Sequence, residues 1–312
     1  MKIVVYHRRA REYCSLLRER FPELEIAGGS EADSLSQHMA SADIVLCFDF
    51  PHILLKEGKQ LRWIQLTSAG VEQLLEDRES LEGIVVTNTR GMHADIIADY
   101  ALGAIVILQW RFLDLFADKN AKRWGQWATE PLSGKTLGIL GMGAIGCEIG
   151  RRARSCGMAV MGLKRHPVEV EGVNRVFGPH QLREMLPLCD FVVVALPMTS
   201  ETFHMIGEKE FRAMKEKSSI INISRGSIVN ELSLIKALRE KWIGGAFLDV
   251  FEKEPLPSDS PLWTFPNIMI TPHIAGMLQD YPARVIDIFG DNLRRWVAGL
   301  PLQNQVDLAR GY

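Results

Sequence analysis

Three groups of residues in this 312-residue chain have the types and spacing to do chemistry. The first is Leu137-Gly138-Ile139-Leu140-Gly141-Met142-Gly143-Ala144-Ile145-Gly146, an apolar run that enters a glycine-rich turn. In such a turn Gly141 permits the tight reversal, Gly143 lets the backbone approach a pyrophosphate, and Gly146 allows a helix to pack closely on a strand. The following segment, Ala144 to Cys156, reads as a helix whose free N–H groups and positive dipole end suit phosphate. The second group lies at the end of the next strand. A site that prefers NAD places Asp or Glu there, about 20 residues on, to bind the ribose hydroxyls. This chain has Leu163-Lys164-Arg165-His166-Pro167 instead, and Lys164 and Arg165 can pair with a 2′-phosphate. NADP is therefore the expected cofactor; NAD is the alternative, with Glu169 or Glu171 serving the ribose. The third group is Arg225 and His273, each just beyond a β-branched run, where open α/β sheets bind ligands. A guanidinium fork suits a carboxylate and can polarise a neighbouring carbonyl. An imidazolium can give its proton to a developing alkoxide, and the neutral ring can take it back.

The elements that must position these residues follow from hydrophobic periodicity. Short β-branched runs alternate with amphipathic stretches, the pattern of parallel sheets with crossover helices. The first third predicts strands at Ile3–Tyr6, Ile44–Cys47, Trp63–Leu66 and Ile84–Thr87, with helical stretches at Glu12–Arg20 and Leu35–Ala40. A single long helix is predicted from His93 to Phe116, apolar on more than one face and so buried on more than one side. A second series predicts strands at Leu137–Leu140, Val160–Leu163, Phe191–Ala195, Ser219–Ile223, Gly245–Val250 and Ile268–Thr271, then a helix over Arg284–Ala298. The expected architecture is α/β: two Rossmann-like or flavodoxin-like domains with parallel sheets and the active site in the cleft between them. The expected division is 1–97 plus 280–312 for a discontinuous substrate-binding domain and 98–279 for the dinucleotide-binding domain.

Composition narrows the function classes. Lys plus Arg total 36 against 38 Asp plus Glu, a net charge of −2, so no global field recruits nucleic acid or an anionic membrane. The longest clean apolar run, Ala101–Leu108, is too short to span a bilayer. The start of the chain shows no signal-peptide core. Five cysteines, with no Cys-x-x-Cys pair, read as reduced thiols of a cytoplasmic protein. No cluster of His, Cys or carboxylates has metal-ligand spacing, so no metal is expected.

Four motifs, in order, make the chain resemble the D-isomer-specific 2-hydroxyacid dehydrogenases. They are the Gly141 turn, Ile221-Asn222-Ile223-Ser224-Arg225-Gly226, Leu248-Asp249-Val250-Phe251-Glu252-Lys253-Glu254-Pro255-Leu256-Pro257, and Thr271-Pro272-His273-Ile274-Ala275-Gly276. Leu196-Pro197-Met198-Thr199 with Thr202 is similar to the family's cofactor-side loop. The resemblance is dense from Leu137 to Gly276 and thin before it, where Thr67-Ser68-Ala69-Gly70-Val71 stands out. It implies an NAD(P)H-dependent reductase of small 2-keto acids, of the glyoxylate or hydroxypyruvate type, that gives D-2-hydroxy acids. It implies Arg225, Glu254 and His273 as the catalytic set, with Glu254 hydrogen-bonded to His273 and favouring its charged ring. Formate dehydrogenases, which resemble this family, carry Gln in the place of Glu254 because their reaction moves no proton. It further implies Met142, Ala144, Ile145, Leu196, Pro197, Thr202, Ile223, Ser224 and Asp249 on the cofactor, Asp249 at the nicotinamide carboxamide. Ala69 and Gly70 would hold the substrate carboxylate on backbone N–H groups.

The resemblance also implies a homodimer, with Trp124 and Trp127 as packing or interface residues. Phe48, Phe50 and His52 form an aromatic loop that could line a substrate pocket or belong to the core. Lys164 and Arg165 depart from the acidic form of many members, Asp99 replaces a more usual Glu, and Met277-Leu278-Gln279-Asp280-Tyr281 replaces smaller residues. The end of the chain at Tyr312 leaves no regulatory domain of the kind found on many phosphoglycerate dehydrogenases, which points away from serine biosynthesis. The competing class is a cofactor-sensing interaction protein, similar to dehydrogenase-like corepressors, that keeps the same residues without significant turnover.

Overall fold

The computed structural model describes residues 1–308 except Pro51, Glu72, Gln73 and 75–78, and describes only the backbone of His52 and Ile53. The chain divides into two compact units, Met1–Met92 with the segment from Leu278 onward, and His93–Met277.

The first unit opens with β1 (Lys2–Tyr6), α1 (Ala10–Arg20), β2 (Glu25–Gly29), α2 (Ala32–Met39), β3 (Ile44–Cys47), β4 (Trp63–Leu66) and β5 (Val85–Thr87). Its sheet is parallel in the order β2-β1-β3-β4-β5, a flavodoxin-like arrangement. Periodicity alone misses β2. That edge strand is only partly buried, and Gly28-Gly29 looks like a break. Gly28 is needed there, because a Cβ would stand 2.4 Å from the Cys14 sulfur of α1.

The second unit begins with α3 (Ala94–Gln109) and α4 (Phe112–Asn120). The expected single helix is thus two, bent by 62° at Trp110–Arg111, where Arg111 takes a left-handed φ of +54°. Nor is it buried on several sides. Ile97, Ala98, Ala101, Ala104 and Ile105 form one buried face, and no residue of α4 is fully buried. Among the described residues no single helix is long and apolar enough to cross a membrane.

The unit continues with β6 (Thr136–Leu140), α5 (Ala144–Ser155), β7 (Ala159–Leu163), β8 (Arg175–Phe177), α6 (Leu182–Met185), β9 (Phe191–Val194), α7 (Glu208–Ala213) and β10 (Ser219–Asn222). It ends with α8 (Glu231–Arg239), β11 (Gly245–Leu248) and β12 (Ile268–Ile270). Its parallel sheet runs β12-β11-β10-β9-β6-β7-β8, a Rossmann order whose direction reverses between β6 and β9. The central strands are buried along their whole length, as expected where helices cover both faces. The edge strand β8, half-buried and three residues long, is another element that periodicity misses.

The last helix, α9 (Tyr281–Val297), packs in the first unit. Its Phe289 stacks on Trp63 of β4 at 5.1 Å, and the Trp63 indole N–H donates to Thr87 Oγ1 at 2.7 Å.

Candidate active site

The glycine turn sits where the strand order reverses. Gly141 has φ +106°, and a Cβ there would lie 2.5 Å from the Ala195 carbonyl oxygen in the loop after β9. Gly146 is as tightly held, since its Cβ would meet the Gly141 carbonyl oxygen at 2.0 Å. Gly143 differs from both: nothing lies within 4 Å of a Cβ built on it. Two of the three glycines therefore serve packing, and the third faces open space in front of α5, as a pyrophosphate cradle requires. The N–H groups of Gly141 and Met142 are spent on the Leu163 carbonyl, at 3.1 and 3.2 Å. The donors left at the start of α5 belong to Ala144, Ile145 and Gly146, since the first helical bond runs from Cys147 N–H to Gly143 O. The Met142 side chain is buried against Gly162.

Lys164 and Arg165 follow β7, but they are not equivalent. The Arg165 guanidinium pairs with Glu201 from the loop after β9. The Lys164 N–H is anchored on the Phe177 carbonyl at 2.9 Å. Glu169 and Glu171 are exposed. Beside the turn, Thr202 is 7% exposed; its hydroxyl donates to Pro197 O at 2.7 Å and accepts from Thr199 N–H at 2.8 Å. Thr202 thus shapes the loop that presents Leu196 and Pro197. These features fit a dinucleotide.

Arg225 follows β10 in an extended conformation (φ −139°, ψ 138°). Its turn is held by Asn222, which sequence reasoning passed over. That buried amide donates to Arg225 O at 3.0 Å and accepts from Ser224 N–H and Oγ, both at 3.2 Å. The signal was a polar residue at the last position of a buried strand. Ile223 is buried beside it. The next residue, Gly226, presses on the loop after β11: a Cβ there would fall 1.8 Å from the Phe251 carbonyl carbon. No other residue fits, so the loops bearing Arg225 and Glu254 touch backbone to backbone.

Glu254 and His273 meet directly, with Glu254 Oε2 2.7 Å from His273 Nδ1. The other carboxylate oxygen accepts the Phe251 N–H at 3.0 Å, which fixes the side chain from behind. His273 has a left-handed φ of +54°, uncommon for a residue with a side chain. Asp249 imposes that turn. It is 1% exposed, and its carboxylate accepts from Ile274 N–H (2.9 Å), Ala275 N–H (2.9 Å), Thr271 Oγ1 (2.7 Å) and Tyr100 Oη (3.1 Å). Its carbonyl also accepts the His273 N–H at 2.9 Å. Tyr100, from α3, was not singled out from the sequence. Burial and the Asp249 charge push its hydroxyl well above the ordinary range, so it stays a donor.

The remaining candidates separate. In the first unit, Asn88 Nδ2 donates to Ala69 O at 2.9 Å and Ser68 Oγ to Gly70 O at 2.9 Å, which orders the turn after β4. Phe50 is a core residue, whereas Phe48 is 50% exposed. The His52 side chain lies outside the described residues. In the second unit Asp99 pairs with Arg152, Trp124 is 91% exposed, and the Arg111 guanidinium lies over Trp127 at 4.9 Å. Among the described residues no cluster of His, Cys or carboxylates could hold a metal ion.

Comparison with known proteins identifies the family. A family model described as "D-isomer specific 2-hydroxyacid dehydrogenase, NAD binding domain" matches residues 102–275. The chain is 36% identical over 253 residues to a glyoxylate reductase of Korarchaeum cryptofilum, covering 77% of this chain and 74% of that one. Among solved structures, a D-isomer specific 2-hydroxyacid dehydrogenase of Xanthobacter autotrophicus in complex with NADPH and MES superposes with a TM-score of 0.91. That protein is 29% identical, with 100% of this chain and 99% of that chain covered. A family protein of Aeromonas salmonicida gives a TM-score of 0.87 at 32% identity, covering 98% and 99%. The chain belongs to the D-isomer-specific 2-hydroxyacid dehydrogenases, NAD(P)-dependent oxidoreductases that act on CH–OH donors.

Proposed function

We propose that the chain reduces small 2-keto acids of the glyoxylate or hydroxypyruvate type to D-2-hydroxy acids, with Arg225, His273 and Glu254 as its catalytic residues. The observation that carries this reading is the 2.7 Å contact between His273 Nδ1 and Glu254, on a loop packed against the one that bears Arg225. With Nδ1 committed to the carboxylate, Nε2 is the nitrogen left to donate a proton to the substrate carbonyl oxygen. Glu254 holds the ring in that orientation, with one carboxylate oxygen on Nδ1 and the other anchored on the Phe251 N–H. Arg225 grips the substrate carboxylate and draws electron density from the adjacent carbonyl. Ala69 and Gly70, in the turn ordered by Asn88 and Ser68, are proposed to offer backbone N–H groups to a carboxylate. The bound nicotinamide supplies hydride to the carbonyl carbon. Asp249 takes its place as a support for the His273 turn as well as a group for the carboxamide, since its carboxylate already holds that turn together.

NADPH is the preferred cofactor in this reading, with NADH possible. The related Xanthobacter protein was crystallised with NADPH. Of the two cations, Lys164 is the direct partner for a 2′-phosphate, and Arg165 joins by exchanging Glu201 for it. The turn from Gly141 to Gly146, with Leu196, Pro197, Ile223 and Ser224 beside it, would hold the rest of the molecule. A homodimer is proposed as well, because Trp110 and Phe116 are each 49% exposed and Trp124 is 91% exposed, a run of large apolar surface along α3, α4 and beyond. Light scattering would then give twice the chain mass, and Trp110→Glu would give monomer.

A panel of 2-keto acids assayed with each cofactor tests the function. Turnover of short 2-keto acids, with a higher kcat/KM for NADPH, is expected. A tenfold preference for NADH would overturn the cofactor assignment. Tight NADPH binding without turnover of any keto acid would favour the corepressor-like alternative.

A further inference from the structure

The loops that follow β9, β10 and β11 converge on one side chain that the reaction itself does not use, His204. We propose that His204 is a positioning residue that fixes Glu254 relative to Arg225; this rests on the roles assigned above. Its backbone takes a left-handed φ of +49°, and its N–H donates to Ser227 O at 2.8 Å, two residues past Arg225. Its ring stacks on Phe203 at 3.9 Å. A non-glycine residue held in this conformation marks a site where the surroundings impose the geometry.

The ring's tautomer follows from its neighbours. Asn230 caps α8, and its Oδ1 accepts the Ser233 N–H at 2.8 Å. That bond orients the amide so that Nδ2, a donor, faces His204 Nδ1 at 3.1 Å. Nδ1 must therefore accept, and the ring proton sits on Nε2, 2.9 Å from Glu252 Oε1. Glu252 is gripped by its backbone too. Its Oε1 accepts the Glu231 N–H at 3.0 Å, while Glu231 Oε1 accepts the Glu252 N–H at 2.7 Å. Glu254 lies two residues beyond Glu252, on the segment that touches Gly226. His204 thus reads the position of the Arg225 loop through Asn230 and Ser227 and passes it to the Glu254 loop through Glu252.

The test compares wild type with His204→Leu, which removes both polar ring contacts, and His204→Gln, which can offer one donor and one acceptor. In the Leu variant kcat for the keto acid should fall about tenfold, as expected when reacting groups lose alignment, with the KM for NADPH within about twofold of wild type. Gln should restore most of the loss. Hydrogen exchange read by mass spectrometry should show the 250–255 amides exchanging at least about threefold faster in Leu but not in Gln, with the 141–156 segment unchanged. If wild type turns over no keto acid, the functional reading falls, and the exchange comparison still decides this inference. Equal exchange at 250–255 in all three proteins, or a Leu variant with wild-type kcat, would overturn it.

Discussion

Replacing Glu254 by Gln removes a charge and almost no volume, and the structure says what it costs. The carboxylate has two acceptor oxygens in use, one toward His273 Nδ1 at 2.7 Å and one toward the Phe251 N–H at 3.0 Å. A carboxamide has only one acceptor oxygen. If that oxygen keeps Phe251, the NH2 group faces His273 Nδ1 and opposes a ring that carries both protons. If it turns to His273, the NH2 group meets the Phe251 N–H, and the loop loses its anchor. Either way one charge-assisted bond is lost, about 1.5–3 kcal/mol in a protected site. Both side chains are partly exposed, at 49% and 35%, so the lower end applies. About 1.5–2 kcal/mol corresponds to a fall in kcat of roughly 10- to 30-fold. The assay is keto-acid reduction followed by loss of NADPH absorbance, with NADPH affinity measured separately by fluorescence. Affinity should hold, because the two groups that Glu254 hydrogen-bonds, His273 and Phe251, lie outside the glycine turn. A Gln variant with kcat within about threefold of wild type would refute the reasoning.

Three further outcomes follow from named contacts. Arg225→Lys keeps the charge but loses the planar fork, so kcat/KM for the keto acid should drop at least about a hundredfold with NADPH binding retained; steady-state kinetics checks both. Tyr100→Phe deletes one donor to the buried Asp249 carboxylate and leaves the ring's packing intact. It should cost about 1 kcal/mol in denaturant unfolding and lower kcat a few-fold by loosening the His273 turn. Burial, reinforced by Arg8 and Arg9, lowers the His7 pKa from an ordinary 6.5 to about 4, and its Nδ1 accepts the Arg9 N–H at 2.9 Å. Between those values the unfolded chain binds more protons than the folded one, so stability should decline as pH falls through that window, by about 2–3 kcal/mol in all. His7→Gln should flatten that slope in urea titrations at pH 4.5 and 7.

Arg225 and His273 were legible because each stands three residues beyond a strand of the parallel sheet, and Glu254 because it lies in the Leu248–Pro257 motif that carries the family resemblance. Gly141, Gly146 and Gly226 all fill places where backbone meets backbone, and such places leave a local mark in the sequence. What supports them was not legible. Tyr100 lies 149 positions from the Asp249 it bonds, and His204 lies 26 from Asn230, so neither pairing leaves a local pattern. The break between α3 and α4 was hidden for a different reason. It has no Gly or Pro, and an arginine takes the left-handed residue that turns the chain. The edge strands β2 and β8 escaped because half-exposed strands lack the continuous apolar run that marks the centre of a parallel sheet.

The most direct test of the assigned chemistry is the product itself. Hydroxypyruvate incubated with NADPH and the enzyme should yield D-glycerate, resolved by chiral chromatography, one for each NADPH oxidised. The yield should collapse in both Arg225→Ala and His273→Ala, by about 10²–10⁴-fold in rate for the latter. An L product, or a His273→Ala variant that makes D-glycerate at the wild-type rate, would contradict the account.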